Sequence, residues 1–266
     1  MGSTSPPPKK SLGQHWLHDA ATLAAMCDAA EVSTDDTVLE IGPGLGTLTA
    51  LLTGRARAVV AVEFDESLAQ ALPGQVSADN LSTVHQDILR FDLTTLPKNY
   101  KLVANIPYYL TSNLIRVISE SINPPALAAL LVQKEVAQRV AASPGDMSLL
   151  SVSAQFYWEV STGREVPAAL FTPPPKVDSQ ILILKKRAKP LFPGTDIQAF
   201  FQIVKAGFSS RRKTLLNSLS GGLRLSKEAA GKLLEGAGID PQLRPQSLSL
   251  PQWHSLYATA KSQEVL

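Results

Sequence analysis

Four short apolar runs, each closed by turn-forming or polar residues, set the rhythm of the first half of this chain. Residues 37–41 (Thr-Val-Leu-Glu-Ile) read as a buried strand, and residues 58–62, 81–85 and 101–104 as the next three. After the first, Gly42-Pro43-Gly44-Leu45-Gly46 makes a turn and residues 47–52 read as a helix. Upstream, Asp19 stands ahead of a helical face made of Leu23, Met26, Cys27 and Ala30. Two longer strands are expected at 149–160 and 180–185. The pattern breaks at Lys189-Pro190-Leu191-Phe192-Pro193-Gly194, rich in residues that stop regular structure. Beyond it the period is helical: Ile197, Phe200, Phe201 and Val204 share one face, and Trp253, Leu256, Tyr257 and Ala260 share another. The last stripe follows a Ser249-x-x-Gln252 capping box. Both stripes read as core. Periodicity therefore gives an α/β domain over 11–188 and a helical domain over 189–266, with 1–10 as a disordered tail.

The chemistry gathers at the strand ends. A strand, a glycine turn and a helix aim backbone N–H groups at a ligand and let it approach closely. Dinucleotide enzymes use G-x-G-x-x-G, whose third glycine would fall on Thr47; here it stands at Gly46, so that fingerprint fails. Glu63 closes the second strand about 20 residues past the turn, where a carboxylate accepts from ribose hydroxyls. Asp87 follows the third strand, placed to accept from an adenine amino group. The fourth runs into Asn105-Ile106-Pro107-Tyr108. The Asn105 side-chain oxygen and the Ile106 carbonyl can both accept from an exocyclic amine, Pro107 fixes φ, and Tyr108 offers a face to a base. Open α/β sheets bind ligands along this edge.

Those residues, with other motifs, carry a resemblance to S-adenosylmethionine-dependent RNA adenine-N6 methyltransferases. The chain is most similar to the KsgA-type family, which dimethylates two adjacent adenines of small-subunit (16S-type) ribosomal RNA. The motifs are Ser11-Leu12-Gly13-Gln14-His15-Trp16-Leu17, the Glu40-to-Gly46 turn, Asn105-Ile106-Pro107-Tyr108-Tyr109 and Gln133-Lys134-Glu135-Val136. Phe171-Thr172-Pro173-Pro174-Pro175-Lys176-Val177-Asp178-Ser179 and Arg211-Arg212-Lys213-Thr214 complete the series. Trp16 is a departure, since the family usually carries Phe there.

The resemblance implies a Rossmann-like seven-stranded class I methyltransferase sheet with a small C-terminal all-helical domain that binds RNA. It assigns cofactor contacts to His15, Leu17, Gly42, Gly44, Glu63, Asp87 and Asn105, with the N-terminal segment folding over the cofactor. It gives Asn105, Ile106, Pro107 and Tyr108 the catalytic role, and pairs Tyr108 with Phe171 as the two faces around the target base. The expected cofactor is S-adenosyl-L-methionine. The expected partner is ribosomal RNA within the small subunit.

Charge sharpens the RNA reading. The net charge of +2 conceals 15 basic and 18 acidic residues up to 188, against 10 and 5 from 189 on. The Arg211-Arg212-Lys213 cluster is the candidate phosphate contact. No run reaches the roughly 18 apolar residues of a membrane helix, and the first ten residues lack a signal-peptide core. Cys27 is the only cysteine, in keeping with a reducing cytoplasm. His15-x-x-His18 finds no cluster elsewhere to complete a metal site, so no metal is expected. Nothing demands a dimer, and a monomer is expected.

Three other readings stay open: a large-subunit rRNA adenine methyltransferase of the erythromycin-resistance type, a non-catalytic ribosome-assembly factor that binds RNA, and a nicotinamide oxidoreductase. The Gln133 and Pro-rich motifs argue against the first. The intact Glu63, Asp87 and Asn105–Tyr108 set argues against the second, and Thr47 against the third.

Overall fold

The computed structural model describes residue 9, residues 12–210 and residues 212–265. The tail expected over 1–10 lies outside these, apart from Lys9. Seven strands form one sheet: β1 (Thr37–Ile41), β2 (Ala58–Glu63), β3 (Leu81–His85), β4 (Lys101–Asn105), β5 (Leu127–Gln133), β6 (Trp158–Val166) and β7 (Ser179–Lys186). Their spatial order is 3-2-1-4-5-7-6. The first five are mutually parallel, and β7 runs antiparallel between β5 and β6. Parallel neighbours need crossovers. Here α2 (Thr47–Arg55) links β1 to β2, α3 (Glu66–Gln75) links β2 to β3, and α4 (Thr111–Glu120) links β4 to β5. β1 is buried at every position, as a strand covered on both faces must be.

The helix α1 (Ala20–Ala29) is capped by Asp19, whose carboxylate accepts from the Thr22 N–H at 2.8 Å. Its Leu23, Met26 and Cys27 join Val38, Leu52, Val59 and Ile181 in one core cluster. Cys27 is fully buried, and burial pushes its thiol up to about 11. It is a core residue, not a nucleophile.

The chain divides into two compact units: the part up to Gln138 with Trp158–Lys186, and Arg139–Tyr157 with the part from Arg187 on. The second holds α6 (Leu149–Tyr157), α7 (Ile197–Gly207), α8 (Leu215–Gly222), α9 (Lys227–Gly236) and α10 (Leu250–Ser262), after α5 (Lys134–Val140). Its core joins Val152 and Phe156 to Phe200, Leu219, Leu233, Trp253 and Leu256.

Two expectations change here. Residues 149–157 are a helix, and only from Trp158 does the strand begin. Apolar side chains at 150, 152, 154, 156 and 158 alternate as in a strand, but Ser148 caps a helix instead, its Oγ accepting from the Ser151 N–H at 3.2 Å. Val152 and Phe156, one helical turn apart, then enter the second core. The helical unit therefore starts earlier than residue 189 and is interrupted by β6 and β7. Second, Phe200 and Val204 are fully buried but Ile197, placed on the same stripe, is 45 % exposed. The Ser249 capping box is present as expected.

Candidate active site

Parallel strands deliver their last residues to one edge, and β1 to β4 do so around a cavity of about 330 Å³. Register keeps them in line: Ile41 pairs with Val62, Glu63 with His85, and Asn105 with Leu131. The cavity is lined by residues 12–17, 40–45, 62–64, 86–89 and 105–110, with a few neighbours. His15, Leu17, Gly42, Gly44, Glu63, Asp87 and the whole Asn105–Tyr108 set are therefore brought together. They come from segments up to 90 residues apart in the chain.

Gly42, Gly44 and Gly46 have φ of 66°, 57° and 79°, a region L side chains avoid. Gly44 is needed for space as well, because a Cβ there would lie 2.6 Å from the Trp16 ring. A Cβ on Gly42 would meet nothing within 4 Å. Glu63 ties this turn to β2. One carboxylate oxygen accepts from the Gly44 N–H at 3.1 Å, the other from the Asp65 N–H at 2.9 Å. Burial pushes the Glu63 carboxyl upward, and those amides draw it part of the way back. Asp87 accepts from the Leu89 N–H at 3.0 Å, which aims its carboxylate at the start of a short helical turn.

Residues 12–17 lie along the cavity as a strap, and several contacts anchor it and the Lys9 side chain ahead of it. The Lys9 ammonium meets Asp65 at 2.7 Å, a pairing that helps hold this carboxylate down at about 2. The Thr47 hydroxyl donates to the Leu17 carbonyl at 3.0 Å. Trp16 and Leu17 pair with Thr172 and Phe171 in a two-residue antiparallel ladder. The His15 ring nitrogen Nδ1 stands 2.7 Å from the Pro173 carbonyl oxygen.

Asn105 is anchored to the same strap. Its Nδ2 donates to the His15 carbonyl at 3.3 Å, which leaves Oδ1 as the side chain's acceptor. Ile106 is buried, and Pro107 holds φ at −55°. The Tyr108 hydroxyl bonds Ser179 Oγ at 2.8 Å, and burial raises its pKa. The Tyr108 ring stacks on His15, centroids 6.0 Å apart and planes inclined by 21°.

Phe171 does not join this group. It is 3 % exposed, belongs to the core cluster of Leu17, Leu23 and Ile181, and does not line the cavity. Pairing with Leu17 draws its strand inward, so the second face for a base is not supplied by Phe171 in this arrangement. Arg211 lies outside the described residues. Arg212 and Lys213 are exposed in the loop before α8, in the second unit.

Three cavity residues received no role of their own in the sequence reading, although Glu40 and Tyr109 stand within quoted motifs. Phe64 and Tyr109 are large aromatics left 59 % and 66 % exposed at the lining; each directly follows a recognised residue, Glu63 or Tyr108, and that adjacency was the available signal. Glu40 is 1 % exposed with its Oε2 unpartnered, and burial pushes its carboxyl up to about 8. A lone acid inside an apolar strand was the sign of it.

Residues 7–261 match the family described as ribosomal RNA adenine dimethylase. A Ribosomal RNA small subunit methyltransferase A from Dehalococcoides mccartyi is 43 % identical over 256 residues, covering 93 % of this chain and 87 % of that one. Its counterpart from Geobacillus thermodenitrificans is 40 % identical, with 93 % and 89 % covered. Among solved structures, a dimethyladenosine transferase from Plasmodium falciparum superposes with a TM-score of 0.82 at 25 % identity, covering 94 % of this chain and 98 % of that one. The 23S rRNA methyltransferase ErmE gives 0.74 at 30 % identity, with 92 % and 99 % covered. The chain belongs to the ribosomal RNA adenine dimethylase family.

Proposed function

We propose that this enzyme uses S-adenosyl-L-methionine to dimethylate N6 of two adjacent adenines in small-subunit ribosomal RNA, acting as a monomer in the cytoplasm. The observation that carries this reading is the amide of Asn105, held by the His15 carbonyl at the wall of a cavity whose floor is the glycine turn and Glu63. The donor set suits a nucleoside with an amino-acid arm. Glu63 stands at the end of β2 for ribose hydroxyls, and Asp87 at the end of β3 for an adenine amino group. The open space above Gly42 leaves the turn accessible, and the buried acceptor of Glu40 lies on the same wall.

When bound, the cofactor supplies an electrophilic methyl group. The chain supplies position. An adenine N6 lone pair is delocalised into its ring and is a weak nucleophile. Accepting hydrogen bonds at Asn105 Oδ1 and the Ile106 carbonyl hold the two N6 hydrogens and favour the more tetrahedral nitrogen that develops. Tyr108, fixed by Ser179, gives the base a rigid face. Stacking of this kind contributes roughly 1–3 kcal/mol and offsets a cost of a few kcal/mol for leaving the stack. Arg212 and Lys213 supply phosphate contacts from the helical unit, with Arg211 beside them in sequence.

ErmE's similarity, at 30 % identity, gives large-subunit RNA as the second reading. Unmethylated small and large subunits, each incubated with labelled S-adenosylmethionine and digested to nucleosides, separate the two. N6,N6-dimethyladenosine in the small-subunit sample alone supports the proposal. Label in the large subunit alone supports the second reading.

A further inference from the structure

We infer that Tyr109 forms a second stacking subsite, on the rim of the cavity, for the nucleotide next to the target adenine; the inference rests on the adenine-methylating reading of this site. Tyr108 and Tyr109 open one short helical turn, Tyr108–Leu110, in which consecutive side chains point in different directions. Tyr108 is turned inward, its hydroxyl 2.8 Å from Ser179 Oγ. Tyr109 is 66 % exposed, yet it still lines the cavity. The two rings therefore serve different spaces, one the wall of the pocket and the other its mouth.

The turn holds Tyr109 in place. The Leu110 N–H donates to the Pro107 carbonyl at 3.0 Å, the Thr111 hydroxyl donates to the Tyr108 carbonyl at 3.0 Å, and both residues are buried. On one side the Tyr109 ring packs on Gly13, where a Cβ would lie 3.7 Å from both Cδ1 and Cε1. Most of the ring is left to solvent. Single exposed apolar side chains are common and need no ligand. What sets this one apart is its place, one residue along from the ring that faces the target base. In the proposed reaction the two adenines are adjacent, so while one occupies the pocket the other stands at its mouth. Enzymes that draw a base out of its stack set sequence context through contacts to the flanking nucleotides. An exposed aromatic face offers such a contact, since every base has a π-face to lay on it. The acceptors for N6, at Asn105 and Ile106, lie apart from this ring, so Tyr109 holds RNA and takes no part in methyl transfer.

Tyr109→Ala, Tyr109→Leu and Tyr109→Phe in the full-length protein test this on two substrates. One is unmethylated small subunits; the other is small subunits reconstituted with an abasic ribose in place of one of the two adjacent adenines. The readouts are KM and kcat for methyl transfer, with S-adenosylmethionine affinity by calorimetry. On intact subunits, Tyr109→Ala and Tyr109→Leu should raise the RNA KM about five- to tenfold, the low end of one base–aromatic stack. The kcat and the cofactor affinity should stay within about twofold, with Tyr109→Phe near wild type. On abasic subunits Tyr109→Ala should move the KM by less than about twofold, because the base that the ring would hold is gone. An equal rise in KM on both substrates would overturn the inference. So would rescue by Leu, or a cofactor affinity reduced about tenfold in Tyr109→Ala, which would make the ring a wall of the cofactor's space. Wild-type activity with a KM unmoved by Tyr109→Ala would remove the inference alone. A wild-type protein that methylates neither adenine of intact small subunits would remove the functional reading and this inference with it.

Discussion

The Gly44 N–H donates to Glu63 at 3.1 Å, so the glycine turn after the first strand is held by the residue that ends the second. The other Glu63 oxygen takes the Asp65 N–H, and the residue is 6 % exposed. Glu63→Ala strands both amides, at a cost of about 1–3 kcal/mol for a buried group left unmatched. Expected results are a lowered melting temperature and S-adenosylmethionine affinity weakened at least about tenfold, the share of one ~1.4 kcal/mol interaction. Unchanged affinity by calorimetry would show that Glu63 serves only the turn.

Trp16 and Gly44 are matched in shape. Gly44→Ala places a Cβ 2.6 Å from the indole and forces a side chain into φ near +57°. Left-handed backbone at a non-glycine residue costs about 1–3 kcal/mol, before the clash is counted. Combining it with Trp16→Phe removes six-membered-ring atoms of the indole and should restore part, not all, of the decrease in melting temperature. No recovery in the double variant would mean that backbone strain alone decides.

Buried Glu40 predicts how stability follows pH. Folded, it keeps its proton until about pH 8; unfolded, it loses it near the ordinary 4.5. Unfolding therefore releases a proton between those values, and this group's contribution is complete below pH 4.5 and lost as pH rises through 8. Glu40→Gln imitates the protonated form. Its melting temperature should match wild type near pH 5 and exceed it near pH 8.5. Parallel curves across that range would contradict the assignment.

The exposed pair Arg212 and Lys213 should act through phosphate charge. Reversing both to Glu is expected to weaken RNA binding across sequences and lower the salt slope by about 1 for each phosphate no longer neutralised. Cofactor affinity should not change. Filter binding across a salt series checks both, and an unchanged slope would place the RNA elsewhere.

Local chemistry was legible and long-range pairing was not. The glycine turn, Glu63, Asp87 and Asn105 each follow a strand in sequence, and parallel pairing then had to bring them to one edge. Residues 149–157 mislead because the apolar side chains at 150, 152, 154 and 156 alternate as in a strand, whereas the outcome turns on Ser148 capping and on a helical core elsewhere in the chain. Phe171 precedes a rigid proline run, which suggests a ring held at the base, yet its pairing with Leu17, 154 positions earlier, buries it. No spacing rule announces the bond from Asn105 to a carbonyl 90 residues upstream, or from His15 to Pro173 across 158.

On the proposed function, Asn105 holds N6 in place while contributing little to cofactor binding. Single-turnover methyl transfer to unmethylated small subunits by Asn105→Ala, with S-adenosylmethionine affinity measured alongside, tests it most directly. The rate should fall by about 100-fold or more, the scale of removing one positioning hydrogen bond at a reacting centre, with affinity within a few fold. Near-normal turnover in that variant would contradict the account.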